Sequence, residues 1–181
     1  MVNHGPVIAA MKNGQPRFQI TQKIVWRTKP ASHEFQLPIK NEFGEPLILG
    51  GVVKFARPQA GSIWVRNEKD RKSQVVRLCI RGAHTNKRAS DKRKWKGQSH
   101  LHHWSQNDLM EYATDPIQPP WPPVDWIENS FEPLAVIEFQ RALSVFCQMH
   151  GIAFDLDMHW DEVPSMPAET FVLSPAGEEI P

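Results

Sequence analysis

The sequence predicts a single α+β domain: an antiparallel β-sheet of meander type with one principal amphipathic helix packed on it. Three observations carry this. The first half is a series of short runs rich in β-branched and aromatic residues, separated by turn material. One later segment repeats apolar residues at helical spacing. A length of 181 residues with 40% hydrophobic content suits one ordinary core with extensions better than two domains. The expected domain covers residues 1–160, and residues 161–181, with four prolines and five acids, form a weakly anchored acidic tail.

Residues 17–27 alternate Phe18 and Ile20, then Ile24 and Trp26, with polar neighbours, which predicts a strand. Residues 33–39, 46–56, 62–67 and 74–82 predict four more, with turns at Asn41 to Pro46 and Arg57 to Gly61. Gly50 and Gly51 interrupt the second of these four and signal a bulge, a sharp bend or a break. From Gly82 to Ser99 no periodicity survives, so residues 82–99 read as a basic loop with Trp95 as its one apolar member. His100 to Trp104 predicts a short strand, with His100, His102 and Trp104 on one face and Leu101 and His103 on the other.

After Tyr112, five prolines (Pro116, Pro119, Pro120, Pro122 and Pro123) forbid a helix and impose an extended connector. The helix then begins near Asn129, with Glu132 completing a capping box and Pro133 tolerated in the first turn. Leu134, Ile137, Ala142, Leu143, Phe146 and Met149 continue it to Gly151. Residues 153–160 alternate Phe154, Leu156, Met158 and Trp160 against Asp155, Asp157 and His159, which predicts an edge strand.

A formal net charge of +1 conceals a dipolar chain. Between Arg66 and Lys96, twelve cations face three acids, a net of +9, whereas from 105 onward fourteen acids face the lone Arg141, a net of −13. Such asymmetry speaks to partners and steering rather than to fold. Cys79 and Cys147 sit inside apolar runs and read as small buried hydrophobes of a reduced compartment rather than a disulfide framework or a zinc knuckle. The N-terminus has no charged segment leading into a long apolar core, and no run approaches the roughly 20 residues of a membrane span. The expectation is a soluble, cytoplasmic protein with no membrane partner and no cofactor.

The chemistry concentrates between Arg81 and Trp104, where four of the eight histidines lie beside the densest cluster of cations. Imidazoles exchange protons near neutral pH and cations hold phosphates, so RNA or single-stranded nucleic acid is the expected partner. Metal-independent RNA cleavage needs a base for the 2′-hydroxyl, an acid for the leaving 5′-oxygen and cations for the phosphate. His84, His100 and His102 are the candidates for the first two roles, and Arg81 and Lys87 for the third. Arg88, Lys92, Arg93, Lys94 and Lys96 are the candidate phosphate contacts, and Trp95 and Trp104 the candidate base-stacking residues. His100 and His102 also form the start of a metal site, needing a third ligand from His84, His159 or an acid. No His-Glu-x-x-His or Cys-x-x-Cys accompanies them, so a metal is the lesser expectation.

The order of a strand ending in Arg81, then Gly82-Ala83-His84-Thr85-Asn86, a variable loop, Ser99-His100-Leu101-His102-His103-Trp104, and a proline-rich step before an amphipathic helix resembles small prokaryotic toxin-like proteins of the TumE type, in the broad RelE/ParE-like class. The resemblance covers about residues 74–150. It implies a small antiparallel sheet with helical packing, metal-free endoribonuclease activity, and a protein partner such as an antitoxin. The chain departs from a compact toxin in its longer N-terminal strand region and its acidic tail. Two alternatives stay open: a non-enzymatic nucleic-acid-binding or assembly module of a mobile-element or defence system, in which the histidines are passive, and an inhibitory DNA mimic acting through the acidic C-terminal half.

Overall fold

The computed structural model of the chain describes residues 5–69, 74–85, 94–105, 110–114, 136–161 and 163–164. It is mostly β-sheet with few helices, the sheet being curled into a half-barrel of mixed strand direction. Helix α1 (Gly5–Lys12) is followed by β1 (Phe18–Ile20), β2 (Arg27–Lys29), β3 (Ser32–Asn41), β4 (Leu47–Lys54), β5 (Arg57–Asn67), β6 (Gln74–Thr85), β7 (Lys94–Ser105) and β8 (Met110–Thr114), then by α2 (Val136–Met149), β9 (Ile152–Ala153) and α3 (Leu156–His159). The strand order is β8-β7-β6-β5-β4-β3-β1-β9, with β2 also on β3. Pairs from β3 to β8 are antiparallel, while β1 and β9 run parallel, so the sheet is not purely antiparallel.

Alternation places the core. His33, Phe35, Leu37 and Ile39 of β3 are buried, as are Leu47 and Leu49 of β4, Ile63 and Val65 of β5, Val76, Leu78 and Ile80 of β6, and Leu101 of β7. Helix α2 covers this face with Phe139, Ala142, Leu143, Phe146 and Cys147. It ends at Gly151, whose φ of 63° is the left-handed conformation of a helix C-cap. A Cβ there would stand 1.9 Å from the Gln15 carbonyl oxygen, so glycine also admits the chain after α1. The His150 ring N–H donates to the Met11 carbonyl (3.2 Å) and ties the end of α2 to α1.

Several expectations are corrected. Residues 17–27 are not one strand: between β1 and β2, Ile24 is fully buried and its N–H donates to the His159 carbonyl (2.7 Å) instead of to a sheet partner. Gly50 and Gly51 break nothing, because β4 runs through them. A Cβ on Gly50 would lie 2.2 Å from the Trp64 ring and one on Gly51 2.3 Å from the Phe35 ring, so their role is to admit aromatic rings on both faces of the strand. Residues 57–61 belong to β5, and the chain turns at Phe55 and Ala56, with Lys54 opposite Arg57.

The basic segment is shorter than a loop over 82–99, since β6 continues to Thr85 and β7 begins at Lys94. Beyond Ala153, which closes β9, residues 154–160 are not a strand, because the Asp155 carboxylate accepts the Asp157 N–H (2.9 Å) and caps the short α3. Trp26 and Trp160 pack against the core, whereas Trp64 lies on the opposite sheet face, stacked on the Arg66 guanidinium at 4.2 Å. The proline-rich connector from Pro116, the cap at Asn129, Glu132 and Pro133, Trp126, and the tail beyond residue 164 lie outside the described residues.

Candidate functional site

The site follows from the alternation of two strands. In β6, Val76, Leu78 and Ile80 take the core face, which puts Arg77 and Cys79 on the other. In β7, Leu101 takes the core face and His100 and His102 the other. The register then sets Arg77 opposite His102 and Cys79 opposite His100. Towards β5, Arg77 is opposite Trp64 and Cys79 opposite Ser62. A cationic, nucleophilic and imidazole-bearing patch is thereby assembled from residues far apart in the chain.

The distances are short. The His100 and His102 ring centroids are 4.8 Å apart, and both residues are fully buried. Cys79 Sγ lies 3.5 Å from His102 Nε2, and an Arg77 guanidinium nitrogen lies 3.1 Å from both ring nitrogens of His102. Donor atoms of Cys79, His100 and His102 all fall within 4.8 Å of one another. A pocket of about 220 Å³ opens beside them, lined by Lys54, Arg57, Ser62, Arg77, Cys79 and His102 among others, and by no carboxylate among the described residues. A second cleft of about 370 Å³ lies by β1, where Arg17 is paired with Glu42.

The expected site residues divide. His100, His102 and Arg77 come together, although Arg77 carried no expected role. Cys79 corrects its reading as an inert buried hydrophobe, being half-buried and beside His102, whereas Cys147 fits that reading, with burial pushing its thiol pKa up. Arg81, the expected phosphate-stabilising cation, is 6% exposed. Its guanidinium donates to Glu138 of α2 (2.9 Å), and its N–H donates to the Ser99 hydroxyl (3.1 Å). Its φ of 48° marks the bulge at which the β6–β7 register shifts between Cys79 and Gly82.

His84 is opposite Trp95, seven residues along β6 from Arg77 and its partner His102. With one residue absorbed in the bulge, six strand steps separate them, about 20 Å, so the structure does not bring His84 and His102 to one phosphate. Of the remaining candidates, Lys94 is exposed at the start of β7, Trp95, Lys96 and Trp104 lie on β7, and Lys87, Arg88, Lys92 and Arg93 lie outside the described residues. His159 is occupied at α3, where it accepts the Asp155 N–H (3.0 Å).

No protein-family model, curated protein or solved structure matches this chain. Its function is therefore argued from the site.

Proposed function

We propose that the protein binds RNA across the β5–β7 face, with the backbone running from the cationic pocket towards the basic β6–β7 hairpin. The observation that carries this reading is the lining of the pocket: Lys54, Arg57 and Arg77 converge beside Ser62 and His102, in a lining that holds no carboxylate among the described residues. A phosphate satisfies such a set, and Arg77 offers the planar donor fork that suits it. The hairpin extends the same charge through Lys94 and Lys96, and its connecting sequence adds Lys87, Arg88, Lys92 and Arg93. Seen this way, the chain is a nucleic-acid-binding module rather than a toxin-type endoribonuclease. Base and acid must reach opposite sides of a phosphodiester, whereas His100 and His102 are buried side by side on one strand face.

The test is equilibrium binding of fluorescent single-stranded RNA at several salt concentrations. The slope of log affinity against log salt is expected to be steep, and Lys54→Glu with Arg57→Glu is expected to flatten it by about two phosphate contacts. An unchanged slope rejects the pocket as a phosphate site. Cleavage of the RNA in the same samples, in chelator and with a 2′,3′-cyclic end, restores the endoribonuclease reading in place of simple binding.

A further inference from the structure

Cys79, His100 and His102 form a donor set that phosphate binding leaves unused. We infer that these three side chains hold a zinc-class transition-metal ion, with its fourth coordination position open to the pocket. The site goes beyond the RNA reading and stands without it.

The chemistry of the donors points to the metal. One thiolate sulfur and two imidazole nitrogens suit zinc or cobalt and are poor partners for magnesium or calcium, which take oxygen. Geometry agrees. Zn–S and Zn–N bonds of about 2.3 and 2.0–2.1 Å put tetrahedral neighbours about 3.3–3.6 Å apart. Cys79 Sγ and His102 Nε2 already stand at 3.5 Å, and the widest separation in the set is 4.8 Å, so closing the trio takes a contraction of about 1 Å. Small side-chain rotations supply that. Both histidines are buried, while Cys79 and His102 border the pocket, so three ligands are protected and one position faces solvent, the arrangement of a reactive rather than a sealed zinc site.

Arg77 is the opposing element. Its guanidinium stands 3.1 Å from His102, where it repels a second cation, and it lines the pocket into which it withdraws when metal enters. Arg77 therefore tunes affinity downward, and its removal exposes the site.

The experiment is a cobalt titration of the full chain after chelator treatment, read by absorbance. The expected result is a one-to-one endpoint with a thiolate-to-cobalt charge-transfer band and visible bands of four-coordinate intensity, both lost on adding zinc. Cys79→Ser should remove the charge-transfer band, His102→Gln should weaken binding by about a hundredfold, Arg77→Met should tighten it about tenfold, and Cys147→Ala should leave it unchanged. Because a ligand variant can also misfold, alkylation of Cys79 is followed in folded Cys147→Ala protein, where zinc should slow it at least about tenfold. Absence of the charge-transfer band in wild-type protein, its survival in Cys79→Ser, or alkylation indifferent to zinc overturns the site.

Discussion

Glu138→Gln tests whether Arg81 is a structural cation. The Arg81 side chain is 4% exposed and Glu138 26%, at 2.9 Å. Two unit charges about 4 Å apart at an effective dielectric of about 20 attract by about 4 kcal/mol, a gross figure that desolvation offsets. Removing one partner of a buried pair costs about 3–5 kcal/mol, because the other is left charged and dry. Here Glu138 is a quarter exposed, which screens the pair, and Arg81 has further contacts, so the expected loss is about 2–3 kcal/mol. For a chain of this size that lowers Tm by about 4–12 °C. Arg81→Met should cost less, about 1–2 kcal/mol, since the carboxylate left behind reaches water. The double variant should cost less than the sum of the two. Urea unfolding with unchanged slope reads all three. A Glu138→Gln loss under about 0.5 kcal/mol, or an Arg81→Met loss exceeding it, refutes the buried-pair argument. Arg81→Met should also leave the salt slope of RNA binding unchanged, whereas a slope reduced by about one contact would return Arg81 to the phosphate.

Gly51→Ala sets a Cβ 2.3 Å from Phe35 and 3.0 Å from Phe139, both buried, and should destabilise by about 3 kcal/mol or more. Gly44→Ala meets nothing within 4 Å and carries only the strain of φ 66°, about 1 kcal/mol, so urea midpoints showing the reverse order reject the close-packing role of Gly51. Burial raises the Cys147 pKa above its ordinary value of 9.0, so the native state keeps the proton that the unfolded state releases. The stabilisation is then complete below about pH 9 and lost above it, by about 1 kcal/mol between pH 9 and 10. Cys147→Ala should lack that increment, and parallel stability–pH curves for the two proteins contradict it.

The β-rich character and most strands from residue 33 to 82 were legible because each buries one face, and burial imposes a two-residue period. Where the reading failed, a local or distant contact outweighed the pattern. From Phe154 to Trp160 apolar residues alternate with Asp155, Asp157 and His159, yet one Asp155 cap bends the backbone into α3. Helix α1 escaped notice although Val7, Ala10 and Met11 stand at helical spacing, since eight residues have little helical stability of their own and form only against the core. Strand β8 has a single tyrosine and no alternation to announce it, and pairs with β7 through backbone bonds that any side chain permits.

The site was half legible for a different reason. That His100 and His102 share a face follows from strand spacing alone, and so does the sharing of a face by Arg77 and Cys79 once Val76, Leu78 and Ile80 are given to the core. What no spacing reveals is the register between the two strands. It is set by the backbone ladder itself: the bulge at Arg81 takes up one residue of β6 between the Cys79–His100 and Gly82–Gln98 pairs, β7 takes up one in turn before Ala83–Lys96, and the same register runs on both sides. A slip of one residue in β7 would carry both histidines to the core face and set Leu101 among the cations. The left-handed backbone of Arg81 is costly for a non-glycine residue, and it persists because its N–H holds Ser99 of β7 while its guanidinium holds Glu138 of α2. The arginine that the sequence nominated for the phosphate is thus a structural cation. It anchors the bulge to β7 and α2, while the β6–β7 register, the same on both sides of that bulge, brings the thiol of Cys79 to the imidazole of His102.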